Sequence, residues 1–136
     1  MTLRNLLVTA MVVGTGLTAG GVSQAKADDT TVYELRTYAA APGKMAELQK
    51  RFRDHTMQIF EKHGMKNIGY WVAADKPDTL IYILAHKSRQ EADKSWKAFR
   101  RDPEWLRVFA ESQKNGSLTK KVESVYMTPT DFSPLK

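Results

Sequence analysis

The apolar residues of this chain change their spacing from every second residue to every third or fourth and back again. No other feature of the sequence limits the fold as tightly. Thr31-Val-Tyr33-Glu-Leu35-Arg-Thr37-Tyr38 is rich in β-branched and aromatic residues, with Tyr33 and Leu35 alternating against Glu34 and Arg36, and reads as a strand. Ala41-Pro42-Gly43 breaks it. From Lys44 the period becomes helical: Met45, Leu48, Phe52, Thr56, Ile59 and His63 fall on one stripe, with Glu47, Lys50 and Asp54 opposite. Gly64 follows and suits a left-handed C-terminal cap.

Asn67 to Ala74 reads as a second strand, Asp75 to Asp78 as a turn, and Thr79 to Ala85 as a third strand. The third strand is apolar almost without a break, which predicts cover on both of its faces. Ser88-Arg-Gln-Glu91 has capping-box spacing ahead of a helix whose inner stripe is Ala92, Trp96 and Phe99. Asp102-Pro103 caps and starts a further short helix bearing Trp105, Val108, Phe109 and Ser112. Asn115-Gly116 is a turn, and Leu118 to Met127 alternates as a final strand that Lys120 and Lys121 would protect as an edge. The order β-α-β-β-α-α-β is that of an α+β, ferredoxin-like split βαβ domain with its second helix broken in two. Right-handed crossovers place the first and third strands side by side at the centre of an antiparallel sheet, with all helices on one face. A third strand apolar on both sides then needs a second cover, and homodimerisation supplies it economically.

Ahead of this domain, residues 1–27 read as an export signal. Arg4 is the one charge before an uncharged run from Leu6 to Leu17, and Ala25-Lys26-Ala27 offers a small-x-small cleavage site before Asp28. A spanning helix wants ~20 apolar residues, and this run is shorter and diluted by Gly14 and Gly16. The expected mature protein is therefore the domain 28–136, periplasmic or secreted, with no membrane segment after cleavage. Of the 21 basic residues, Arg4 and Lys26 leave with the signal; 19 against 15 acidic residues then give +4. Those charges are intermixed, as in Glu47-Leu-Gln-Lys50-Arg51-Phe-Arg53-Asp54, which argues for solvated helix faces and against nucleic-acid binding. The chain has no Cys, so burial rather than disulfides must hold it together.

Candidate chemistry is sparse. His55 and His63 lie eight apart on one predicted helix, ~12 Å along its axis, and cannot share a metal. His63, beside the helix end, can bond terminal carbonyls. His55, at the stripe's edge, can point into a cleft between helix and sheet and serve as a base or ligand-orienting group, or be a partly buried structural histidine. No His-x-x-x-His, calcium loop, nucleophile elbow or phosphate loop is present. No metal or cofactor is therefore expected. The aromatic residues are dense, and most suit core and dimer packing. Tyr33, Tyr70, Trp71, Tyr82 and Trp96, with Arg36 and Arg100, could instead line an apolar pocket holding a few polar anchors. The tail Thr128 to Leu135, with Phe132 between two prolines, suits docking on a neighbouring surface or a disordered terminus.

Several segments resemble the NIPSNAP family in wording and order: Tyr33-Glu-Leu-Arg36-Thr-Tyr38, Pro42-Gly43-Lys44, His63-Gly64, Gly69-Tyr70-Trp71, Ala98-Phe-Arg100-Arg-Asp-Pro-Glu-Trp105, and the closing Tyr126 to Pro134. The resemblance implies a dimeric α/β barrel, in which two ferredoxin-like sheets pack face to face. The wider superfamily includes cofactor-independent oxygenases, haem-degrading enzymes and aldoxime dehydratases. The haem-degrading relatives take an axial His from the second half of the domain, after a helical Trp; here no His follows His86, which argues against that activity. Two functions stay open. One is a dimeric domain that binds a small hydrophobic or aromatic molecule, or an oxygenase-like enzyme using His55 or Tyr82. The other is a non-catalytic protein-interaction module of the cell envelope.

Overall fold

Where a strand runs apolar on both sides it belongs at the centre of a sheet, and the computed structural model, which describes residues 31–136, places it there. Strands β1 (Val32–Ala40), β2 (Lys66–Ala73), β3 (Lys76–His86) and β4 (Thr119–Met127) form one sheet in the order β2-β3-β1-β4. Every neighbouring pair is antiparallel. Between β1 and β2 run α1 (Met45–Arg51), a π-helical turn (Phe52–Thr56) and α2 (Met57–Lys62); between β3 and β4 run α3 (Arg89–Phe99) and α4 (Pro103–Ser112). This is the predicted α+β, ferredoxin-like order. The export signal and its cleavage site fall outside the described residues.

Pleating divides the sheet into two faces. Leu80, Tyr82 and Leu84 of β3 are buried beneath the helices with Leu48, Phe52, Ile59, Phe60, Trp96 and Phe99. On the opposite face the register lines up Gly69, Ile83, Leu35 and Val125 in one row, and Trp71, Ile81, Thr37 and Glu123 in the next. No described helix or strand covers that second face; the tail after β4 meets it beside Tyr33 and Ile83, while Trp71 and Val125 are each more than half exposed.

Tyr33 and Leu35 alternate against Glu34 and Arg36 as expected, and it is Glu34, Arg36 and Tyr38 that face the helices, where they satisfy one another's polar atoms. Two local readings are corrected. The β2–β3 hairpin turns at Ala74-Asp75 and not over Asp75–Asp78, since Ala73 already pairs with Lys76. Pro77 is tolerated inside β3 because β1 pairs only from Thr79 onward, so no ladder bond from β1 is lost at Pro77. His63 is the C-terminal cap residue of α2 through its backbone N–H, but its imidazole does not bond the helix's terminal carbonyls. Its Nε2 lies 2.7 Å from Asp102 Oδ2, so it joins the end of α2 to the start of α4.

The caps themselves form as the sequence indicates. Ser88 accepts from the Glu91 amide at 3.1 Å, although the Glu91 side chain turns to Lys94 and leaves the box half closed. Asp102 accepts from the amides of Glu104 (2.8 Å) and Trp105 (3.3 Å), with Pro103 in the first turn. Lys62 and then His63 hold the Asp102 carboxyl below the usual range, against the opposing effect of burial. Gly64 takes a positive φ of 76°, as a left-handed C-terminal cap requires.

Phe60 is the hub of the core, its ring within 6.2 Å of the rings of Phe52, Tyr82, Trp96 and Phe99. Replacing it with Ala leaves a cavity with little room to collapse. We expect Phe60→Ala to lower unfolding free energy by about 3–5 kcal/mol in urea titrations; a loss below about 1 kcal/mol would contradict this packing.

Candidate functional site

Glu34 lies on β1 with no solvent exposure, and its carboxylate collects four donors. Oε1 accepts from Arg36 Nη1 and Ser124 Oγ, both at 2.7 Å. Oε2 accepts from Trp96 Nε1 at 2.7 Å and sits 2.8 Å from His86 Nε2. Burial by itself would raise the Glu34 carboxyl; the bonds from His86, Ser124, Trp96 and Arg36 outweigh it and hold the group at about 2. His86 Nδ1 is buried without a partner among the described residues.

Arg36 extends this network toward the aromatic core. Its Nε donates to Tyr82 Oη at 2.9 Å and its guanidinium lies 4.3 Å from the Trp96 ring centroid. Tyr82 Oη donates in turn to Tyr38 Oη at 3.1 Å, and Tyr70 stacks on the Tyr82 ring at 5.0 Å. Burial pushes the Tyr82 hydroxyl well above its ordinary range and the Tyr70 hydroxyl up as well. Both phenols are therefore hydrogen-bonding groups at neutral pH. The charges of Glu34 and Arg36 are spent on one another and on the donors and acceptors around them.

A groove opens on the other side of the first helical layer. It has a volume of about 220 Å³ and lies between α1 with its π turn and α4; Arg51, His55, Arg107, Val108, Ser112 and Leu118 line it. The π turn shapes this wall. Met57 N bonds Phe52 O, and Thr56 Oγ1 donates to Arg51 O at 3.3 Å. Phe52, Thr56 and Phe60 are buried in the core, while Arg51 and His55 line the groove. Arg51 is only 7% exposed. Its Nη1 donates to Ser112 Oγ at 3.1 Å, its guanidinium lies 5.3 Å from the Trp105 ring centroid, and its Nε has no partner. Burial lowers the Arg51 guanidinium, with Tyr38 and Tyr82 opposing that shift.

The predicted site residues thus separate. Arg36, Tyr70, Tyr82 and Trp96 come together under the sheet. Tyr33 is buried on the opposite sheet face, its hydroxyl donating to Lys136 O at 2.6 Å, so the tail folds back onto the domain. Trp71 also lies on that face, with its indole over Gly69. Arg100 follows α3 and is exposed. His55 lines the groove between helices, rather than a cleft between helix and sheet. Glu34, His86 and Arg51 were not singled out. Glu34-x-Arg36-x-Tyr38 at strand period is the one signal that points to a shared polar face. Among the described residues no group of His, Asp and Glu could hold a metal ion.

The sheet order, with helices on one face, defines a ferredoxin-like α+β domain of the kind seen in NIPSNAP and antibiotic biosynthesis monooxygenase folds. The NIPSNAP family profile matches residues 33–134, and the chain belongs to that family. Among solved structures it is similar to a NIPSNAP family protein from Agrobacterium tumefaciens, at 25% identity over 81% of this chain and 97% of that one, TM-score 0.70. A NIPSNAP-like domain protein from Burkholderia xenovorans aligns over 78% of this chain and 90% of that one at 18% identity, TM-score 0.68. A putative antibiotic biosynthesis monooxygenase from Nitrosomonas europaea shares the fold at 13% identity, covering 79% and 98%, TM-score 0.57. No curated protein matches the sequence.

The Glu34 network carries a pH signature. The carboxyl is held at about 2 against an ordinary 4.5, so its contribution is complete above pH 4.5 and is lost as the pH falls through about 2. Urea midpoints measured from pH 6 to pH 2 should decline across that window. Glu34→Gln should be less stable at pH 6 and show a flatter decline; an unchanged slope would remove Glu34 from this role.

Proposed function

We propose that this protein acts outside the cytoplasm as a homodimeric domain that binds a small hydrophobic or aromatic molecule in the groove beside His55. The observation that carries the binding reading is the groove itself. It combines apolar lining from Val108 and Leu118 with eight polar or charged side chains, on a wall shaped by a π turn. Tyr82, Trp96 and Phe99 fill the interior at the centre of the sheet, and a second opening of about 290 Å³ lies at the β2 edge, lined by Phe52, Met57, Tyr70, Trp71 and Leu80 without a histidine or a carboxylate. In this reading His55 orients the ligand or accepts a proton from it. Antibiotic biosynthesis monooxygenase relatives share the fold and bring oxygenase-like chemistry into consideration, with an oxidisable ligand deprotonated by His55.

The dimer is supported by the uncovered sheet face, where Leu35, Ile81 and Ile83 are half-buried and Trp71 and Val125 project. A second copy turned face to face would cover both β3 strands. No helix among the described residues is long and apolar enough to cross a membrane. The envelope interaction module remains as a second reading, favoured by Phe132, which stands 83% exposed on the tail. It predicts that deletion after Met127 abolishes capture of an envelope partner while leaving groove binding intact.

Native mass spectrometry of the protein purified from its own cell should give a dimer of chains starting at Asp28 with a small molecule retained. Trp71→Asp combined with Val125→Asp should yield monomer. His55→Ala should keep the dimer and lose the retained molecule. A bare monomer from the unaltered protein would overturn the reading.

A further inference from the structure

We infer that the groove takes an anion, and specifically a small monocarboxylate whose apolar body lies along Val108 and Leu118, with Arg51 as the residue that binds its charged end. This deepens the groove reading above and rests on it.

Arg51 is a charge without a counter-charge among the described residues. A guanidinium is protonated at any working pH, and burying one is costly unless a carboxylate or a full set of acceptors receives it. Arg36 shows how the domain ordinarily meets that need, with Glu34 at 2.7 Å and two phenol oxygens. Arg51 is buried to a similar extent and has no carboxylate within ion-pair distance among the described residues. Its one hydrogen bond from the guanidinium goes to a neutral serine hydroxyl, and its Nε has no acceptor. Five donors in a planar fork are thus met by a single acceptor.

The three acidic residues on the groove wall do not supply the missing charge. Glu47 is paired with Lys44 at 2.9 Å, Asp54 with Lys50, and Glu111 with Lys114 at 2.5 Å. Once those pairs are formed, Arg51 and Arg107 are the unmatched charges on the lining. The ring of Trp105 at 5.3 Å and that of Phe109 at 5.7 Å flank the Arg51 guanidinium. A carboxylate matches the fork geometry of Arg and would remain strongly attracted in such surroundings. The size of the groove suits a compact acid, and its side walls of Val108 and Leu118 suit an apolar body.

The probes are benzoate and its uncharged isostere benzamide, added at neutral pH to isotopically labelled protein and followed by amide chemical shifts. Benzoate should shift the Arg51, His55, Val108 and Leu118 resonances saturably, and benzamide should bind at least ten-fold more weakly. Arg51→Met should raise the benzoate Kd about ten-fold or more while leaving the weak benzamide binding unchanged, and Arg51→Lys should fall between the two. The comparison of the two probes on unaltered protein stands even if Arg51→Met folds poorly. Benzamide binding the groove as tightly as benzoate would overturn the anion assignment and leave the groove reading in place. Failure of both probes to shift groove resonances would overturn the assignment and the groove reading together.

Discussion

Glu34 sits beneath the centre of the sheet with both carboxylate oxygens occupied, and its four partners come from four places. Arg36 is its neighbour on the same strand face, Ser124 lies on β4, His86 closes β3, and Trp96 projects from α3. A buried charge of this kind adds little net stability over an apolar equivalent, but it is intolerant of misplacement, since any absent partner leaves a desolvated charge exposed to apolar surroundings. It therefore acts as a position lock. Strand β4 shows the effect most clearly. Its residues are exposed along most of their length, so burial alone specifies its register weakly. A slip of one residue would carry Ser124 to the other sheet face and remove a donor from Glu34.

From that carboxylate a continuous polar and aromatic chain leads across the domain. Arg36 joins Glu34 to Tyr82, Tyr82 and Tyr38 share a hydrogen bond, and the rings of Phe52, Phe60, Trp96 and Phe99 continue to Trp105 and Phe109 on α4. Because these rings fill the space between sheet and helices, a ligand has no room at the centre. The concavities lie at the periphery, and the one lined by His55 and Arg51 is at the junction of α1, the π turn and α4. The position of the groove is thus a consequence of how thoroughly the core is packed.

The element order was legible because each change of apolar period coincides with a strong local signal: Pro42-Gly43, Ser88 before its helix, Asp102-Pro103 before the next. The central place of β3 was legible from its unbroken apolar run, which places Leu80, Tyr82 and Leu84 on one face and Ile81 and Ile83 on the other. Charge misled where burial was concerned. Alternation separates Glu34 and Arg36 from Tyr33 and Leu35 without saying which set is covered by the helices, and only satisfaction by Ser124, His86 and Trp96, up to 90 residues away, decides the face. Arg51 was concealed within an acid–base mixture that resembles a solvated helix face. The π turn was hidden for a related reason: one extra residue per turn barely disturbs a helical stripe, yet it decides which neighbours share a wall.

The groove also depends on a contact far from its own lining. Asp102 receives Lys62 and His63 from the end of α2, which continues directly from the π turn, while capping the start of α4, so one side chain ties the far end of the helical run that carries one groove wall to the helix that forms the other. With that tie in place, Arg51 on one helix and Ser112 on the other meet at 3.1 Å. The bond is too weak and too neutral to have drawn a buried guanidinium into position by itself. The helices are instead held by Asp102 and by the aromatic layer beneath them, and Arg51 is carried into an apolar site by a scaffold stabilised elsewhere. Stability borrowed in this way allows a charge to remain unmatched in the absence of a ligand, which is the arrangement an anion-binding groove requires.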